Sequence, residues 1–183
     1  MRSIDNSQDI IDSRDVIKRI EELEADKEAL VEAVTEAEEA VKEAQETLDA
    51  STDDADRMSC RLTLESAQED LRRAKCELED WTGDEEAEID PSDDAKELAC
   101  LKKLAEEAEN ECEWESGTAL IRESYFTEYA EQLAGDTCDM GKASDWPFRH
   151  IDWEAAATEL KQDYSTVTFY DEDGEGVDYY IRN

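Results

Sequence analysis

The sequence predicts a mostly α-helical protein, in which a long antiparallel coiled-coil helical hairpin is followed by a small α+β domain with a C-terminal β-hairpin. Three observations carry that prediction. Apolar heptads in the two longest helical stretches run toward each other: Ile20, Leu23, Lys27, Leu30, Val34, Ala37, Val41, Ala44 and Leu48 are answered by Cys60, Leu64, Ala67, Leu71, Ala74, Leu78 and Trp81. Facing residue numbers add to 108, so Leu48 meets Cys60, Ala37 meets Leu71 and Lys27 meets Trp81. Second, a small Ala repeatedly faces a larger side chain, which lets two backbones approach closely and sets the register. Third, residues 95–183 hold nearly all the aromatics, and near their end the apolar period changes from helical to two.

Taken in order, residues 1 to about 12 are polar and expected to fray, with Ile10 and Ile11 available to extend the seam. Helix 1 is expected from Ser13 to Ala50. The Ser51-Thr52-Asp53-Asp54 cluster supplies a turn and an N-cap for helix 2, which continues to Trp81 and stops at Thr82-Gly83. Asp84 to Asp94 hold seven acids and no base, which favours a solvated linker. Asp90 as N-cap with Pro91 at the first helical position starts helix 3, whose stripe is Leu98, Leu101, Ala105, Ala108 and Cys112 and whose end is Ser116-Gly117. A fourth helix is expected from Thr118 to Ala134, closed by Gly135, with Ile121, Tyr125, Tyr129 and Leu133 on one face. A loop containing Gly141, Trp146 and Pro147 leads to Asp152, which caps a short helix to Gln162. Val167 and Phe169, then Val177, Tyr179 and Ile181, alternate with polar neighbours across an acidic glycine turn, which is a β-hairpin. The expected division is a hairpin over 1–83, an acidic linker over 84–94 and a small α+β domain over 95–183.

No apolar run approaches the roughly 18 residues that cross a bilayer, and the Met-Arg-Ser-Ile-Asp start lacks a secretory apolar region, so a cytoplasmic protein is expected. Cys60, Cys76, Cys100, Cys112 and Cys138 form an odd set without close pairs, which fits reduced thiols. One histidine and no C-x-x-C argue against zinc. Asp171-Glu172-Asp173-Gly174-Glu175-Gly176 begins like a calcium loop, but Arg182 stands where the closing glutamate belongs, so a solvated hairpin tip is the simpler reading. His150 lies near Asp152 without a nucleophile constellation, and no phosphate loop occurs. No catalytic residue, metal or cofactor is therefore expected. Lys27 facing Trp81 suggests a cation held over an indole.

Fifty-four acids against 19 bases give a formal charge of −35. That balance repels phosphates, so direct nucleic-acid or anionic-membrane binding is excluded as a primary mode and a partner chosen by electrostatics is basic. At one charge per about 1.7 Å of duplex axis, 35 charges correspond to about 60 Å of DNA, close to the length of helix 1. Residues 1–83 hold 25 acids and 11 bases, a net of −14, so the hairpin alone falls below half that density. Imitation of DNA must then use the whole molecule or selected acidic stripes. Solvated helix faces and high-salt adaptation are the competing sources of acidity.

The stretch Trp146-Pro147-Phe148-Arg149-His150-Ile151-Asp152-Trp153-Glu154-Ala155-Ala156-Ala157, with Leu160, Asp163-Tyr164 and Tyr179-Tyr180-Ile181-Arg182, resembles the closing segment of ArdA-type antirestriction proteins. Leu120 to Phe126 and Glu128-Tyr129-Ala130 also resemble small acidic phage and prophage proteins. The resemblance covers about 65 residues. It implies an ArdA-like C-terminal domain and a non-catalytic mimic of DNA, here an antirestriction or anti-CRISPR inhibitor acting in the host cytoplasm on a basic nucleic-acid-binding enzyme. The N-terminal hairpin does not resemble the remaining domains of that family, so no site residue is carried over from it. From this chain's own spacing, Glu32, Glu36, Glu39, Glu43 and Glu46 recur on one outer helical face, and Asp84, Glu85, Glu86 and Glu88 cluster in the linker, as the candidate partner-binding acids. The alternative is a coiled-coil structural or adaptor protein, for which a homodimer is the simplest assembly.

Overall fold

A computed structural model describes residues 3–84, 87–109, 114–137 and 148–182. It is mostly helical, with one four-stranded antiparallel sheet. The chain divides into two compact units, Glu21–Lys96 and a second formed by Met1–Ile20 with Glu97–Asn183.

In the first unit, helix α1 (Ser13–Ala50) enters from the other unit and runs 38 residues without a glycine or proline to interrupt it. Helix α2 (Asp54–Thr82) starts where the Asp53 carboxylate accepts the Asp56 N–H. It ends at Gly83, whose φ of 74° returns its N–H to the Glu79 carbonyl at 2.8 Å. A Cβ there would lie 2.7 Å from the Pro91 nitrogen, so the close approach requires glycine. Along α2, Cys60, Leu64, Ala67, Leu71, Ala74, Leu78 and Trp81 are sheltered, while every other residue between Arg61 and Asp80 is exposed. The matching shelter on α1 falls on Leu30, Ala33, Val34, Ala37, Val41, Ala44 and Leu48. Between the helices, the Lys27 ammonium lies 5.6 Å from the Trp81 ring centre, and Lys75 pairs with Glu38 at 2.9 Å. Lys27 itself stays exposed, so only its charge reaches the ring.

After Gly83 the chain closes on itself. Asp84 and Ile89 exchange backbone hydrogen bonds at 2.8 and 2.9 Å, and Glu88 adopts a left-handed φ of 57°. This bridge lies within the stretch expected as a solvated linker, and Ala87 and Glu88 inside it are exposed. Helix α3 (Asp93–Ala108) is capped by Ser92, which accepts Ala95 N–H on its hydroxyl and Lys96 N–H on its carbonyl, in place of the expected Asp90–Pro91 start. It stops at Ala108, short of Ser116, and Cys112 lies outside the described residues.

The second unit is built on the sheet, in the order β1-β2-β4-β3, with β1 (Ile10–Asp12), β2 (Ala119–Arg122), β3 (Tyr164–Tyr170) and β4 (Gly176–Arg182). Two expectations are overturned here. Residues 10–12 neither fray nor extend the seam, because Ile10 to Asp12 pair with Ile121 to Ala119. Residues 119–122, expected as helix, are the strand between β1 and β4, and the helix begins only at α4 (Phe126–Thr137), which continues through Gly135. Asp152 caps helix α5 (Trp153–Leu160) through Ala155 N–H at 3.1 Å, as its sequence position predicts.

Both faces of the sheet are covered. On one, Ile11, Leu120, Val167, Phe169, Tyr179 and Ile181 are at most 2% exposed, and α3 approaches through Glu97 and Cys100, which line one cleft with Phe169. On the other, Ile121 and Tyr164 pack with Phe126 and Ala130 of α4 and Ala157 of α5, Phe126 meeting Tyr164 edge-on at 5.1 Å. Glu97 ties the start of the chain down. Its carboxylate accepts the Ile4 N–H at 2.8 Å and pairs with Arg19 at 2.7 Å, both side chains being nearly buried. Ser13, fully buried, donates its hydroxyl to the Trp114 carbonyl and accepts the Thr118 N–H, each at 2.8 Å.

Candidate functional site

Glu32, Glu36, Glu39, Glu43 and Glu46 are all exposed on α1 and form no ion pair among the described residues. Their spacings of four, three, four and three residues follow the helical period. At about 100° per residue the five fall within a sector of about 80°, centred about 150° from the mean of the sheltered stripe. The carboxylates therefore line the side of α1 opposite its sheltered stripe. The row extends about 21 Å, one charge per about 5 Å, against one per about 3.4 Å along a single DNA strand. Glu28 belongs to the same sector, four residues before Glu32 and equally exposed. Sequence reasoning passed over it although the period that selects the other five also selects Glu28.

The acidity is unequally shared between the two helices. Helix α1 holds 13 acids and 5 bases, a net of −8, whereas α2 holds 8 acids and 5 bases, a net of −3. On α2 the side opposite the sheltered stripe also carries Met58 and Leu62, 61% and 58% exposed and one turn apart.

The second group of candidate acids is arranged differently. Asp84 is half-buried and its carboxylate accepts the Ala87 N–H at 3.2 Å, so it serves the turn. Glu88 is exposed, and Glu85 and Glu86 lie outside the described residues. The turn adjoins Trp81, whose carbonyl accepts from Ser92, and Trp81 takes the Lys27 ammonium. That sets it at the Lys27 end of α1, and the row begins five residues farther along.

In the acidic hairpin tip, Asp171 acts as a cap for its own turn, its carboxylate accepting the N–H groups of Asp173 and Glu175 at 3.1 and 2.8 Å. Beside it Asp5, Glu97, Asp171 and Glu172 line a cleft of about 220 Å³ with Cys100. Burial pushes the Cys100 thiol up, which keeps the weakly nucleophilic protonated form at neutral pH. His150 is exposed and accepts from the Arg149 guanidinium at 3.2 Å. Of the stretch Trp146 to Ala157, Trp146 and Pro147 lie outside the described residues. Among the described residues no helix is long and apolar enough to cross a membrane. Compared with protein-family models, with curated proteins and with solved structures, the chain finds no match in any of the three.

Proposed function

We propose that this chain is a non-catalytic acidic inhibitor that mimics DNA, acts in the host cytoplasm and occupies the basic groove of a restriction or CRISPR effector. In this reading α1 and α2 form an antiparallel coiled-coil hairpin. The matched sheltered stripes and the 27–81 and 38–75 contacts support that packing. One observation carries the function: an uncompensated glutamate row held at helical spacing on the side of α1 opposite its sheltered stripe. A rigid row lets geometry as well as negativity select the partner, because the carboxylates lose little freedom on binding. The ArdA-like C-terminal stretch points to the same class of target. The test is displacement of labelled DNA from purified restriction enzymes and CRISPR effectors at graded salt. Displacement that weakens as salt rises, and that is lost when the five glutamates become glutamine, supports the proposal. Salt-insensitive displacement, or full displacement by the glutamine variant, refutes it.

The adaptor reading is favoured by one feature, the exposed Met58–Leu62 pair on the less acidic helix. If assembly is the function, Met58→Gln with Leu62→Gln dissolves an oligomer seen by sedimentation, and the glutamate substitutions leave it intact.

A further inference from the structure

Among the described residues strand β3 is an edge of the sheet, paired with β4 alone. At the hairpin turn the Asp171 N–H donates to the Glu175 carbonyl at 3.0 Å. Hydrogen-bonded pairs then recur at every second position inward: Phe169 with Val177, Val167 with Tyr179 and Ser165 with Ile181. The backbone N–H and C=O groups of Thr166, Thr168 and Tyr170 consequently point away from β4, and they have no partner among the described residues. Thr166 and Tyr170 are exposed, and Thr168 is half-buried.

The composition of this edge is unlike the rest of the chain. In a sequence that is 40% charged, Tyr164–Tyr170 is the longest run without a charge. Edge strands are commonly blunted by an inward charge, a proline or a bulge, and β3 has none of these across its unbroken seven-residue register. The strand runs into an acidic end, Asp171, Glu172 and Asp173, whereas at its start Asp163 stands beside Arg182, the ladder partner of Tyr164.

We infer that β3 is a docking edge for an extended segment of a partner protein, taken up by strand addition, with β-branched or hydroxyl residues at its centre and Lys or Arg where it meets Asp171 to Asp173. Charge selects this occupant over a second copy of the chain. Two β3 strands paired antiparallel about Val167 would set Asp163 opposite Asp171 at both ends, like charges face to face between two molecules of −35 each. The inference uses no residue of the α1 glutamate row, so the two surfaces stand or fall separately.

The test uses the full-length, nitrogen-labelled protein and two synthetic heptapeptides, Arg-Thr-Val-Thr-Val-Thr-Arg and its counterpart with Glu at both ends. The Arg peptide protects the amides of Thr166, Thr168 and Tyr170 from hydrogen exchange and binds about tenfold more tightly than the Glu peptide at low salt. Thr168→Pro removes one outward N–H without touching the ladder to β4, so the peptide's effect disappears while Val167 and Phe169 stay protected. Thr166→Lys retains every backbone group and sets a base beside the incoming arginines, so it narrows the gap between the peptides even if the proline variant does not fold. Absence of protection on β3, equal binding of both peptides, or undiminished binding by Thr168→Pro overturns the inference. Concentration-dependent protection of the same amides without peptide overturns it in favour of self-pairing.

Discussion

Replacing Glu32, Glu36, Glu39, Glu43 and Glu46 together by glutamine should stabilise the fold while removing the proposed binding surface. Neighbours along the row are three or four residues apart, which places four carboxylate pairs about 7 Å from each other. At the dielectric constant of water each pair repels by about 0.6 kcal/mol before screening. Screening over about 8 Å at 0.15 M salt leaves roughly 0.25 kcal/mol per pair, or about 1 kcal/mol for the row. At about 0.01 M the same sum is about 2 kcal/mol, and at about 1 M it falls to about 0.2 kcal/mol. Glutamine and glutamate have similar helix propensities, and relief of the Glu28–Glu32 repulsion partly offsets the lost attraction of Lys42 for Glu39 and Glu46, so the sum stays close to that of the row. Urea unfolding followed by helical circular dichroism at these three salts reads the difference between parent and variant. A variant no more stable than its parent at the lowest salt, or one whose gain persists at the highest, would show that the carboxylates are not held as neighbours on one face.

Other substitutions test the supports of this surface and of the sheet. Glu97→Gln removes the carboxylate that pairs with the nearly buried Arg19 and should cost about 3 kcal/mol in urea unfolding, with faster hydrogen exchange at the Ile4 amide. Ala74→Leu forces a larger side chain into a position 8% exposed and should cost about 1 to 3 kcal/mol, whereas Cys76→Leu, two residues on and exposed, should be nearly neutral. Burial pushes the Tyr179 phenol up to about 12, and its hydroxyl donates to the Gln8 carbonyl at 2.6 Å. The neutral form is the one the fold favours, so this contribution is complete below the ordinary value near 10 and is lost as pH rises from there through about 12. An ultraviolet titration of Tyr179→Phe against the parent should lack one late-ionising tyrosine.

How much could be read from the sequence depended on the range over which each element is decided. The apolar stripe of α2 was legible because seven sheltered residues recur at spacings of three and four over five turns, and nothing but helix satisfies that pattern. The β3–β4 hairpin was legible for the same reason at period two, its nearest partners, Tyr170 and Gly176, being joined by a turn of five residues. Strands β1 and β2 were not. Ile10 to Asp12 and Ala119 to Arg122 are too short to display a period, and their pairing spans more than 100 residues, so neither segment carries its own signal. Ile121 fitted a helical stripe with Tyr125 and Tyr129 because a strand residue and a helix beside it can bury one common face, as Ile121 and Phe126 do. Asp90–Pro91 satisfied the local rule for a helix start, yet the turn closed by Asp84 and Ile89 delays the start until Ser92 can cap it. In the candidate site, the α1 row was legible as periodicity, whereas the structural service of Asp84 was hidden, since nothing local distinguishes a carboxylate that caps its own turn from one presented to a partner.

The division of charge between the helices bears on why a row, and not the total charge, is the quantity to test. If −35 were a coat for solubility or high salt, both exposed helix faces would be expected to carry it alike. Instead Arg57, Arg61, Arg72, Arg73 and Lys75 offset most of the acidity of α2, and Lys75 returns its charge to Glu38 across the pair. From Glu28 to Ala50, α1 has eight acids and Lys42 as its one base, and six of those acids occupy the outward sector. Neighbouring like charges on a helix oppose its formation, so this arrangement works against the fold that displays it. A binding surface gives that cost a purpose, because repulsion along the row is relieved when a basic groove supplies the opposite charge. The same relief predicts that α1 becomes harder to unfold in the complex than alone, by an amount that shrinks with added salt, as hydrogen exchange on Glu32 to Glu46 would read.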